Sequence, residues 1–265
     1  LTLESLTVSS KFLRSLRWLA GALMLAGVAW AGSLPFDFVH HGNFQRMMHT
    51  SNTAGQVALS ALSQYGGTWG VGATAGLKGE IVQIDGRLLV SPGSDEQGRV
   101  RPPQDGEQAV LFASGRVQAW QDVPVPRDMD AAAFEAFVQD QARALGIALD
   151  QPFVFRVEGR FPHLLWHVVT GEPGPGGGHR AHGSHGGHGG HGGGHANQRA
   201  DMRLFRQPGA SGQLIGVYSG AALEGAVSHP GERFHLHFAD MGATVSGHVD
   251  RYSVAGGAVL KLPLR

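Results

Sequence analysis

Residues Phe234 to Asp250 read FHLHFADMGATVSGHVD, a pattern that can place three imidazoles around one ion. On a β-strand alternate side chains share a face, so Phe234, Leu236 and Phe238 can enter a core while His235 and His237 point out together. Thr244 to Asp250 can return as the partner strand, with Ser246, His248 and Asp250 on one face. With a loop at Asp240 to Ala243, His235 lies opposite His248. Directly opposed residues stand roughly 5 Å apart at Cβ and diagonal ones about 7–8 Å, which brings His237 within reach of the same point. Three protein ligands and an open fourth position are what a catalytic zinc requires, because water or substrate must also reach the metal. A solvated strand face with unligated histidines has the same spacing, so the hairpin alone leaves both readings open.

Composition restricts the alternatives. The chain has 265 residues, enough for one large core or two modest ones. Lys+Arg and Asp+Glu both number 21, which gives no electrostatic footprint for nucleic acid or an anionic membrane. Cysteine is absent, so a metal here must rest on histidine and carboxylate.

The elements that would position the hairpin follow in chain order. Lys11, Arg14 and Arg17 precede an apolar run from Trp18 to Ala31 that ends Ala29-Trp30-Ala31. A basic start, a short apolar stretch and a small-x-small ending describe a signal peptide over residues 1–31, and hence a periplasmic or secreted body. The first residue is Leu, which points to a truncated or alternative start. Ala54 to Tyr65 carries Val57, Ala61, Leu62 and Tyr65 near helical spacing, stopped by Gly66-Gly67. Glu80–Ile84 and Arg87–Val90 flank Asp85-Gly86, a strong hairpin indication with Glu80 at its entry. Ser91 to Gly106 reads as loop, and Ala109 to Trp120 as one or two strands. Asp130 can cap a helix running to about Leu145, with Phe134, Phe137, Val138 and Leu145 buried and Gly146 as its stop. Phe153–Val157 and Leu164–Val169 read as a strand pair around Gly159. Arg203–Phe205, Gly212–Tyr218 and Ala258–Leu262 complete the strands. The expected class is α+β, with mixed, mostly antiparallel sheets and one long helix.

Gly171 to Ala196 is nearly all glycine and histidine, with His179, His182, His185, His188, His191 and His195. It has almost nothing apolar to bury and reads as a disordered loop inserted in one domain, 32–170 and 197–265. Six tethered imidazoles suit auxiliary capture of Zn, Ni or Cu, and a neutral low-complexity insertion explains them equally. Catalysis needs fixed geometry, so no active site is placed there.

Two segments resemble a known family. GTWGVGATAGLKGEIVQIDGRLLV resembles the G-x-F/W…LxGE-[LI]-x-x-[LI]-DG segment of alpha-acetolactate decarboxylases, and GQLIGVYSGAALEGAVSHPGERFHLHFADMGATVSGHV resembles the same family's G-x-[IL]-x-G-[FV]…PGxHLHF…GGHV segment. QVALSAL and VEGRF fall where similar residues are expected, so the likeness spans most of residues 54–262 outside the His/Gly segment. The resemblance implies a Zn2+ held by His235, His237 and His248, an active-site glutamate at Glu80, and decarboxylation of 2-acetolactate to acetoin and CO2. A ketone oxygen on a Lewis acid accepts the electrons that CO2 leaves behind, giving an enediolate that a positioned carboxyl then protonates. The resemblance also implies a homodimer.

Two departures stand out. His167 occupies the strand position where the family carries an arginine suited to the substrate carboxylate, and imidazole lacks arginine's fixed charge and fork of donors. His167 is thus a substrate-binding candidate or simply a strand residue, and neither Arg156 nor Arg160 matches the position. The family's late glutamate has no counterpart, since no glutamate follows Glu232. These departures open a second expectation, a periplasmic metal-binding or buffering protein on a decarboxylase-like scaffold.

Overall fold

The computed structural model describes residues 37–62, 64–171 and 202–264. The expected signal peptide and the six histidines from His179 to His195 lie outside them. Among the described residues no helix is long and apolar enough to cross a membrane.

In chain order the elements are β1 (Val39–His41), α1 (Phe44–Thr50), β2 (Val57–Ala58), β3 (Thr68–Thr74), β4 (Gly79–Ile84), β5 (Arg87–Pro92) and β6 (Gln108–Arg116). Then come β7 (Trp120–Pro124), β8 (Met129–Asp130), α2 (Ala131–Ala144), β9 (Phe153–Phe161), β10 (Leu164–Val169) and β11 (Met202–Arg206). The last are β12 (Ala210–Tyr218), β13 (Phe234–Asp240), β14 (Ser246–Val254) and β15 (Val259–Pro263). A first sheet runs β1-β6-β3-β4-β5, with β2 also on β6. A second runs β11-β10-β14-β13-β12-β9-β15-β7, with β8 on β14. Every pairing between these strands is antiparallel, and among the described residues strands so outweigh the two α-helices that the class is mostly β rather than α+β.

Local chemistry explains the best-defined elements. Asp85 and Gly86 both have positive φ, 50° and 82°, as the two-residue turn between β4 and β5 requires. The Asp130 side chain accepts the Ala133 N–H at the start of α2, and Phe134 and Val138 on its inner face are fully buried. Phe134 and Val138 pack with Phe153, Phe155, Trp166, Leu214, Leu236 and Phe238 on one face of the second sheet. The opposite face meets the first sheet, where Val71, Val82 and Ala113 join Val154, Ile215, Val217 and Ala239. The second sheet is therefore covered on both sides.

Two expectations about elements fail. Ala54 to Tyr65 is not an α-helix: β2 pairs with β6, a short 3-10 turn covers Leu59–Ala61, and the N–H groups of Gln56 and Leu59 bond to Ala109 and Glu107. Leu59 and Leu62 are buried against Ile81, Leu88 and Phe112. Those apolar anchors satisfy helical spacing and an edge segment equally. Nor do β9 and β10 pair. Pro162-His163 turns a corner between strands separated by β12, β13 and β14, so the sheet must roll, and Gly159 lies within β9.

Candidate metal centre

The histidine hairpin forms, in a register shifted by two residues. His237, not His235, stands opposite His248, with Phe238 opposite Gly247 and Ala239 opposite Ser246. The cause is the loop. Asp240 accepts the N–H groups of Thr244 and Val245 and the Thr244 hydroxyl, so residues 241–245 turn back on Asp240 before the ladder can start. A slip of two keeps each side chain on its face, whereas a slip of one would reverse them all. One ligand atom from each of His235, His237 and His248 can thus lie within 4.8 Å of the other two.

The ring face is not solvent-facing, as the strand alternation alone suggested. The first sheet covers it, leaving His237 fully buried, His235 buried and His248 partly open. The His235 Nδ1–H donates to the Val227 carbonyl at 2.8 Å, which leaves Nε2 as a lone pair. That Nε2 faces His237 Nε2 at 3.2 Å, and His237 Nδ1 is buried without a partner. Burial lowers all three pKa values, His235 to about 4 and the other two well below the usual histidine value, with neighbouring imidazoles adding to the effect. Neutral rings with lone pairs turned toward each other repel unless a cation or proton lies between them. Tetrahedral zinc sets its nitrogen ligands about 3.3 Å apart, so this donor set fits such an ion.

Three further groups meet the rings. Glu80, 4% exposed, reaches across from β4 and lies 3.7 Å from His237 Nε2 and 3.9 Å from His167 Nε2. Burial pushes its carboxyl up to about 8, against the opposing pull of His167 and of the Val169 N–H at 3.4 Å. His167 stands opposite His248 on β10, its Nδ1 2.9 Å from Asp250 Oδ1. Burial would lower the His167 pKa, but the Asp250 hydrogen bond and the charge on Glu80 outweigh it and raise the value. The position of Asp250 comes from a β-bulge: Leu165 pairs with Arg251 and Trp166 with Val249, leaving Asp250 as the extra residue. His229, on the connection before β13, sets its ring 6.0 Å from His248 and 4.1 Å from Phe44. Sequence reading had not singled out Asp250 or His229 as site residues, although Asp250 shares the His248 face of an alternating strand. Arg156 is elsewhere: Ile215 pairs with it on one side and with His237 on the other, so two strand spacings separate them. Arg160 lies exposed farther along β9.

The family model described as alpha-acetolactate decarboxylase matches residues 39–177, which include Glu80 and His167. The chain belongs to that family. The sequence match ends before the histidine hairpin, whose place in the site rests on the geometry above. Among solved structures, acetolactate decarboxylase from Bacillus subtilis subspecies spizizenii is 18% identical over 86% of both chains, with a TM-score of 0.64. Alpha-acetolactate decarboxylase from Bacillus subtilis strain 168 gives 18%, 86% of both chains and 0.63. A Staphylococcus aureus protein of unknown function, described as similar to alpha-acetolactate decarboxylase, gives 15%, 86% of both chains and 0.63. No curated protein matches the chain. These structures share its fold, and a small-molecule substrate follows from the family.

Proposed function

We propose that this protein decarboxylates 2-acetolactate to acetoin and CO2, using a zinc ion held by His235, His237 and His248 and a proton handled by Glu80. The observation that carries the reading is the meeting of Glu80, from one sheet, with His237 and His167, from the other, in a chain of this family. A bound metal would supply a Lewis acid toward the substrate's ketone and hydroxyl oxygens. His235 is held by Val227 with its free nitrogen inward, so the ring needs no reorientation to serve as a ligand. Breaking the bond to the carboxyl releases CO2 and leaves the electron pair on the substrate. The carbon that lost CO2 then needs a proton, which the buried Glu80 carboxyl is placed to deliver from one side. His167, steadied by Asp250, is the group of this chain that faces Glu80 where the family places an arginine, and it is our candidate for the substrate carboxylate. Export to the periplasm rests on residues 1–31 alone, and N-terminal sequencing of the mature protein tests it.

The decisive test is acetoin formation from racemic 2-acetolactate by the protein lacking residues 1–31, with and without added zinc. Zinc-dependent acetoin supports the proposal and shows that neither the arginine nor a late glutamate is required in this scaffold. A folded, zinc-loaded sample that releases no CO2 would overturn it in favour of metal binding or buffering.

A further inference from the structure

An open polar cavity lies where β3 and the end of β6 meet β7 and β9, away from the histidines. Its volume is about 510 Å³, within the range of small-molecule sites, and its walls include Trp69, Asp85, Arg116, Trp120 and Arg156. Trp69 and Trp120 stand nearly perpendicular, 86° apart with ring centroids 5.7 Å from each other. The Arg156 guanidinium lies 4.2 Å over the Trp69 ring and gives one nitrogen to Glu158 at 2.7 Å.

Behind the exposed surface of this wall two side-chain nitrogens are buried. Trp69 is 5% exposed, yet its Nε1–H has no hydrogen-bond partner, and neither does the buried Nε–H of Arg156. Arg116 adds a guanidinium that forms no ion pair among the described residues and rests near the ring of Tyr65. Asp85 is committed in part to the Gly67 N–H at 2.6 Å, and its charge disfavours a ligand with two negative groups. Aromatic walls and an exposed guanidinium with no ion pair among the described residues together select an anion with an apolar body.

We infer that this cavity is a binding site, separate from the histidine centre, for a small organic monocarboxylate with a flat apolar body. Its carboxylate meets Arg116 and the body rests against Trp69 and Trp120. The inference stands whether or not the chain decarboxylates 2-acetolactate.

Benzoate serves as the probe, titrated into the full chain while the indole N–H resonances are followed by NMR, with benzyl alcohol and benzylammonium as controls. Saturable shifts of indole signals with benzoate alone, an affinity about tenfold weaker in Arg116→Gln, and undiminished binding in His237→Ala are expected. Arg116 is exposed, so its variant keeps the fold. The inference is overturned by the absence of a saturable shift, by equal affinity in Arg116→Gln, or by benzyl alcohol binding as tightly as benzoate. Benzoate binding that disappears in His237→Ala would place the probe on the metal centre and overturn it as well.

Discussion

The second sheet has two faces built from the same strands, and their chemistry differs completely. Toward α2, β13 presents Phe234, Leu236 and Phe238 to a cluster of aromatic and aliphatic side chains. Toward the first sheet, the residues between them are His235 and His237, joined by His248, His167 and Glu80. Covering both faces makes each conduct itself as interior. On one face burial is favourable, since it removes apolar surface from water. On the other it strips water from imidazoles and a carboxyl, lowering the pKa values of the rings and raising that of the acid. Alternation with a period of two thus places stability and chemistry on adjacent residues, and substitutions one position apart should separate them.

His237→Ala is the largest expected break on the chemical face. It should leave a folded protein without stoichiometric zinc and without turnover, as metal analysis and an acetoin assay would show. Retention of one zinc per chain in that variant would remove the triad from consideration. Glu80→Gln sharpens the same face from the opposite sheet: zinc content should stay at the wild-type level while kcat falls by about 10²–10⁴-fold. Wild-type turnover in this variant would exclude the proton role.

Phe238→Ala tests the other face, one residue from His237. Phe238 is 1% exposed and packs against Trp166 and Phe161, so truncation should cost about 3–5 kcal/mol of unfolding free energy. Zinc binding in the fraction that stays folded should match the wild type. Chemical denaturation followed by metal titration below the transition separates the two effects. A zinc affinity that falls with stability would show that the faces are coupled through the strand.

How much of this was legible beforehand depended on whether the determining interaction is local. The Asp85-Gly86 turn and the Asp130 cap are set by residues a few positions apart, and both form where the sequence places them. The faces of β13 were legible because alternation is strict on any strand. Its register was not, since it depends on Asp240 drawing Thr244 and Val245 into the turn through side-chain hydrogen bonds. The bulge at Asp250 exists only relative to β10, a partner more than eighty residues away, so β14 read alone does not reveal it. Glu80 meets the histidines because two sheets stack. No spacing along the chain encodes that contact, and only the family resemblance pointed to Glu80.

Asp250→Asn probes that bulge and should act through His167 rather than on zinc. The neutral amide keeps the size of the carboxylate but loses a charge-assisted hydrogen bond, so kcat/KM for 2-acetolactate should fall about tenfold to a hundredfold. The loss should lie mainly in KM if His167 receives the substrate carboxylate, with zinc content unchanged. Loss of zinc instead would mean that Asp250 supports His248 and that His167 has no part in binding substrate.

The smallest effect belongs to the helix that backs the apolar face. Asp130→Ala removes the side chain that accepts the Ala133 N–H at the start of α2, leaving that donor to solvent. The expected loss is about 1 kcal/mol of unfolding free energy, read from the shift in denaturation midpoint at constant slope. Because α2 packs on the face opposite the histidines, zinc stoichiometry and kcat should not move. A capping variant that altered either would mean that packing on one face sets ring positions on the other, and the separation of stability from chemistry by strand alternation would fail at the weakest perturbation able to test it.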